Sequence, residues 1–182
     1  MATKITTENI IIGPAQLLAG EYGCEDLDLV DLGGTTGGVT VSMSRTFYDV
    51  KADQAIGILK RQETERTMRV STTLLEATLS NLALAWGYGA DAVTVDEVSG
   101  KTTFNIGNVT EIPYKRLRFI GPGPEGQERT YDVHKVASVG DGSHDLRKES
   151  ETGIPVEFEV LYDASQTGPG KFGKVVDAKP AP

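Results

Sequence analysis

The chain has 182 residues, 38% of them hydrophobic and 24% charged, which suits one ordinary domain around a single core. Its 26 acidic and 18 basic side chains leave a formal net charge of −8, excluding a protein that grips nucleic acid through clustered Lys and Arg. The 21 glycines and 8 prolines point to many short strands and turns rather than long helices.

Asn9 to Leu18 is apolar and β-branched around Gly13-Pro14, which predicts a strand with a bend. An acidic stretch from Glu21 to Asp31 leads into Gly33-Gly34-Thr35-Thr36-Gly37-Gly38, expected to be a flexible or sharply turned connection. Two alternating strands follow. In the first, Val39, Val41, Met43 and Phe47 share one face and Thr40, Ser42, Ser44 and Thr46 the other. In the second, Met68, Val70 and Leu74 oppose Glu63, Glu65, Thr67, Arg69, Ser71 and Thr73. Period-two alternation marks a sheet with one face on a core and one in water. Arg45 and Arg66 interrupt the apolar faces near strand ends, where long side chains reach solvent. The connection from Asp49 to Lys60 is too long for a tight hairpin turn and is expected to be an extended loop with its own task.

One helix is predicted, from about Leu74 to Trp86. Thr73 and Glu76 fit a capping box, Leu75, Leu79, Leu82, Ala83 and Trp86 form one stripe, and Gly87 suits the C-terminal end. Leu84 falls opposite the stripe, near Ala77 and Ser80. Tyr114 to Ile120 and Glu128 to Val139 flank a Gly/Pro loop and read as a hairpin. Ile154 to Asp163 places Val156, Phe158, Val160 and Tyr162 on one face and Glu157 and Glu159 on the other, and Phe172 to Val176 is a last short strand. One helix among about eight strands predicts a mainly β fold: two packed antiparallel sheets, sandwich- or barrel-like, with a helix on the flank.

Residues of catalytic type are sparse. His134 and His144 fit no metal-ligand spacing and Cys24 is remote from both, so no metal or other cofactor is expected. The single cysteine has no internal disulfide partner and suggests a reducing place of folding. Asp141-Gly142-Ser143-His144-Asp145 lacks the third carboxylate and terminal Glu of a calcium loop and reads as a turn. Glu157 and Glu159 share a strand face, as a glycosidase pair might, but a solvated acidic face is the plainer reading. The glycine-rich segment has no following Lys-Ser/Thr and no helix behind it, unlike a phosphate-binding loop. The opening MATKITTENIII lacks the features of a secretory signal, and no stretch approaches the roughly 18 apolar residues of a membrane span. A cytoplasmically made protein without membrane insertion and without enzymatic activity is expected.

The order of three pieces carries a resemblance: GGTTGGVTVSMSRTFYDVKADQ at 33–54, RVSTTLLEATLSNLALAWG at 69–87, and IPVEFEVLYD at 154–163 with FGKVVDA at 172–178. From about Asp31 to Asp177 the chain resembles the tail tube (major tail) proteins of long-tailed bacteriophages. The resemblance implies a single tail-tube domain over 1–182, with an N-terminal arm at about 1–8 and a Pro-containing tail at about 178–182. It also implies six-membered rings whose inner strands close a β-barrel, stacked into a virion tube assembled in the host cytoplasm. Its partners would be further copies, tape-measure and tail-terminator or tail-tip proteins, and double-stranded DNA passing through during ejection.

Periodicity then suggests where each surface lies. Thr40, Ser42, Ser44, Thr46, Glu63, Glu65, Thr67, Arg69 and Ser71, with Glu157 and Glu159, are expected to line the lumen. Ala77, Ser80 and Leu84 on the back of the helix are expected at a subunit interface, because residues 77–87 carry no charge. Asp49, Asp53, Ile56, Ile58 and Leu59 are expected to contact adjacent rings, together with the arm from Met1 to Glu8. Charge suits such a conduit: six copies at −8 carry −48 per ring. The roughly 40 Å of duplex spanned by a domain of this size carries about 24 negative charges, so cargo and wall repel. Two other readings fit the strand grammar. One is the tube of a contractile injection or type VI-like secretion system; the other is a virion carbohydrate- or receptor-binding β-sandwich.

Overall fold

The computed structural model describes residues 6–107, 111–144, 146 and 151–179. In chain order the strands and helix are β1 (Gln16–Glu21), β2 (Val30–Asp31), β3 (Thr35–Val50), β4 (Lys60–Leu74), α1 (Leu79–Ala85), β5 (Val93–Asp96), β6 (Lys101–Phe104), β7 (Lys115–Pro122), β8 (Glu128–Ser138), β9 (Ile154–Val160) and β10 (Gly173–Ala178). The mainly β, antiparallel expectation with one helix holds. The two packed sheets expected are halves of one continuous sheet: eight strands run in the order β2-β1-β7-β8-β9-β4-β3, with β10 also on β8, and β5 and β6 form a small second ribbon.

The reason lies in β8. Its first half, Glu128 to Val133, pairs with β10, and its last residues, Val136 to Ser138, pair with β9. A bulge between Leu117 and Lys115 on β7 marks the change. A strand that bends at a bulge can serve two sheet halves while keeping its backbone groups paired. Leu17, Leu117, Phe119 and Val133 from one half cluster with Val70, Leu74, Ile154, Val156 and Phe158 from the other, and Leu82 and Ala85 of α1 complete this core. Among the described residues the sheet does not close into a barrel within one chain; β2 and β3 stand at its two ends.

Three local expectations are corrected. The glycine-rich segment is not a connection: Gly37 and Gly38 lie inside β3 with φ of 75° and 77°. The register jumps there from Thr36↔Thr73 to Thr40↔Ser71, a bulge that needs left-handed residues. The Thr72 hydroxyl donates to the Gly38 carbonyl at 2.9 Å. The loop expected from Asp49 to Lys60 shrinks to residues 51–59, because Asp49↔Arg61 and Val50↔Lys60 are still paired.

The helix starts later than the capping box suggests. Leu74 stays in β4, paired with Thr35 on one side and Ile154 on the other, and is wholly buried. Two ladders and a core site outweigh one cap. Thr78 caps instead, its hydroxyl accepting from the Asn81 backbone N–H at 3.1 Å. Leu75 is left outside the helix and exposed, and the buried helix residues are Asn81, Leu82, Ala83 and Ala85. Leu79 and Trp86 of the expected stripe are partly buried against the core. The side-chain Nδ2 of Asn81 donates to the carbonyls of Leu32 at 3.0 Å and Glu76 at 2.9 Å, tying the helix to the chain that enters β3.

Candidate functional site

Register aligns most of the expected lumen residues. Thr40 opposes Ser71, which opposes Glu157; Ser42 opposes Arg69, which opposes Glu159; Ser44 opposes Thr67 and Thr46 opposes Glu65. Directly paired residues of antiparallel strands share a face, so these ten form one polar surface across β3, β4 and β9. Arg69 bridges its two acidic neighbours, at 2.8 Å to Glu157 and 3.5 Å to Glu159. Three carboxylates against one guanidinium leave the face acidic.

Glu63 departs from this set. The register shifts after Thr46↔Glu65 to Phe47↔Glu63, leaving Thr64 unpaired with its hydroxyl donating to the Thr46 carbonyl at 3.2 Å. The bulge turns Glu63 to the other face, where its carboxylate meets Arg66 at 2.6 Å. Strict alternation would set residues three apart on opposite faces; this ion pair spans such a spacing.

Beyond Met68, where β9 ends at Val160, β3 and β4 continue as a two-stranded arm. The core-side face runs out onto it: Val41 opposes the buried Val70 and Met43 (57% exposed) opposes Met68 while β9 is still alongside, and Phe47 (41% exposed) continues the row on the arm itself. The guanidinium of Arg45 lies 5.5 Å and that of Arg61 5.4 Å from the Phe47 ring centre. Asp49, expected in the loop, belongs to β3 and accepts two hydrogen bonds from Arg61 at 2.7 and 2.9 Å. Asp53, Ile56, Ile58 and Leu59 occupy the exposed tip, with Ile56 making almost no contact. Of the expected N-terminal arm, residues 1–5 lie outside the described residues and Thr7–Asn9 forms an exposed 3-10 turn. Pro180 to Pro182 of the expected tail likewise lie outside the described residues.

The expected helical interface splits. Ala77 precedes the helix and is exposed, Ser80 is exposed on it, and Leu84 is half-buried against the core. Ser80 and Leu84 line a groove of about 530 Å³ between the helix, the β1–β2 edge and β5. The β5–β6 ribbon, which periodicity had not revealed, closes this side. Phe104 packs tilted on Trp86 at 5.9 Å and edge-on to Tyr88 at 5.1 Å.

A second charged cluster was missed because its members are far apart in sequence. Arg116 and Arg118 on β7 both hydrogen-bond Asp132 on β8, at 2.7–3.0 Å, and both reach Asp26 at 2.7 Å. Hydrogen bonds from Arg118, then Arg116, lower the Asp26 carboxyl to about 2. Burial pushes Asp132 up, but the same two guanidiniums outweigh it and hold it below the usual carboxylate value. The cluster pins the segment between β1 and β2 to the sheet. His134 and His144 are half-buried, and Asp145 lies outside the described residues. Among the described residues no group of three or more His, Cys, Asp or Glu is arranged to hold a metal ion, and no helix is long and apolar enough to cross a membrane.

No protein-family model and no curated protein sequence matches the chain. Among solved structures it is similar to a chain of "Virion of native gene transfer agent (GTA) particle", at 10% sequence identity and a TM-score of 0.38, over 89% of this chain and 95% of that one.

Proposed function

We propose that the chain is a non-enzymatic structural subunit of a hollow virion tube, the tail tube of a long-tailed phage. Copies close rings, six in the arrangement that the sequence resemblance implies, and the rings stack into a conduit for DNA. The observation that carries this reading is the register-matched polar face Thr40/Ser71/Glu157, Ser42/Arg69/Glu159, Ser44/Thr67 and Thr46/Glu65. It ends at a β3 whose outer edge is unpaired among the described residues over its sixteen positions. So long a free edge invites indiscriminate pairing, and a ring of subunits satisfies it while turning the polar face inward.

In that arrangement the lining does little to its cargo. Hydroxyls offer weak, rapidly exchanged hydrogen bonds, and the excess carboxylates repel phosphates spaced at one charge per ~1.7 Å of duplex. Neither brakes a moving polymer. The arm tip at residues 51–59 reaches the adjacent ring, and tape-measure and terminator proteins would set the length. Negative-stain electron microscopy of the purified protein tests the reading: hollow filaments of uniform width are expected. A protein that stays monomeric at every concentration and ionic strength, or forms only solid aggregates, would refute it.

A further inference from the structure

We infer that the apolar face of the β3–β4 arm of one copy seats in the groove beside α1 of the next. The inference rests on the self-assembly part of the function proposed above and names the two surfaces that meet. The row of Val41, Met43 and Phe47 starts where β9 still flanks β4, ends on the two-stranded ribbon, and extends the core face into solvent. Isolated two-stranded ribbons are marginal in water, so this row calls for a cover.

The chain's own groove cannot supply it. β3 leaves the groove end of the sheet at Thr35, where the Leu75 backbone N–H donates to the Gly34 carbonyl at 2.8 Å. Phe47 lies twelve residues further along the strand, about 40 Å at ~3.3 Å per residue. The groove of another copy suits it in both chemistry and charge. Val30 (66% exposed) and Val95 (63% exposed) give it apolar walls with Leu84. Its rim carries Asp28, Asp31 and Glu76, while Lys115, buried in the groove wall, is bound to Glu21.

On the arm, Arg61 is neutralised by Asp49 and Arg66 by Glu63, whereas Arg45 has no ion pair among the described residues. Residues 44–67 hold five basic side chains (Arg45, Lys51, Lys60, Arg61, Arg66) and four acidic ones (Asp49, Asp53, Glu63, Glu65), in a chain of net −8. An apolar, locally cationic arm thus meets an apolar, anionic groove on the same molecule. Because the two patches differ, the contact is head-to-tail, the kind that propagates to a closed ring or an open filament.

Complementation between two defective chains tests this. Met43→Glu spoils the arm and Val30→Glu spoils the groove; both positions are exposed, and thermal unfolding confirms that each variant folds. Val95→Glu serves as a second groove variant. Each alone should sediment as a monomer under conditions where the wild type assembles. An equimolar mixture should give a species of twice the monomer mass, since one intact arm and one intact groove make a single contact. Variants that assemble like the wild type, or a mixture that stays monomeric, overturn the arm-to-groove contact; hollow wild-type filaments would then leave the tube function standing. A mixture that dimerises beside a wild type forming no hollow filaments upholds the contact and removes the tube function. A wild type that never self-associates removes both.

Discussion

Glu63 faces Phe47 across the β3–β4 hairpin, one step out of phase with the polar row of Glu65, Thr67, Arg69 and Ser71. A single unpaired residue, Thr64, separates two surfaces with different tasks. Thiol probes on a Cys24→Ser background report the split. In assembled material, Ser44→Cys should react with a small maleimide but not with a polymer-linked one too wide for a channel. Glu63→Cys should not follow that pattern. Equal reaction of Ser44→Cys with both reagents would place the polar face outside.

The arm tip contributes nothing to the core. Replacing residues 51–59 with Asn-Gly supplies the two-residue turn that the pairing of Val50 with Lys60 accepts. The expected product is a folded chain with unchanged thermal unfolding that no longer makes long filaments. Filaments of normal length would show that stacking uses another surface.

Leu84 and Ser80 border the same groove but differ in what lies beneath them. Leu84 is half-buried against the core, so Leu84→Ala should cost about 1–2 kcal/mol of stability, a fraction of a fully buried leucine. Ser80 is exposed, and Ser80→Glu should change stability by no more than about 0.5 kcal/mol while blocking assembly. Calorimetry of the monomer and sedimentation of the assembled protein separate the two effects.

Asp132 is 1% exposed between Arg116 and Arg118. Asp132→Ala leaves both guanidiniums with Asp26 as their remaining carboxylate and should cost about 1–3 kcal/mol through the lost charged hydrogen bonds. Asp26 adds a pH dependence. Its carboxyl is lowered from 3.8 to about 2, so its contribution is fully present above about pH 4 and is lost as pH falls from there through about 2. Asp26→Asn should therefore be less stable than wild type at pH 6, with the two unfolding curves converging near pH 2. A constant gap across that range would remove Asp26 from the account.

Asn81 is buried, and its amide satisfies two backbone carbonyls. Asn81→Ala leaves Leu32 and Glu76 without that donor and should destabilise by about 1–3 kcal/mol. Asn81→Asp removes the amide N–H groups without changing size and should cost at least as much at neutral pH. Denaturant unfolding at constant slope would confirm that both act on the native state.

Much of the polar face was legible in the amino-acid sequence because period-two alternation is a local property. Thr40 to Thr46, Glu65 to Ser71 and Glu157 with Glu159 each announce a face without reference to any neighbour. What the sequence could not announce is anything settled by pairing between distant residues. Glu63 looks like one more member of the row until the Thr64 bulge sets its partner. Thr73 and Glu76 look like a helix start until ladders to Thr35 and Ile154 hold Leu74 in a strand. Asp26, Arg116 and Asp132 are unrelated along the chain and form one ion cluster only because β7 lies beside β8 and the segment after β1 folds back over them. The groove beside α1 belongs to the same class: a helix, a sheet edge and a ribbon enclose it, and no one of them signals it alone. Local alternation decided which side chains share a strand face, and long-range register, where burial and backbone pairing outweigh local preference, decided what those faces meet.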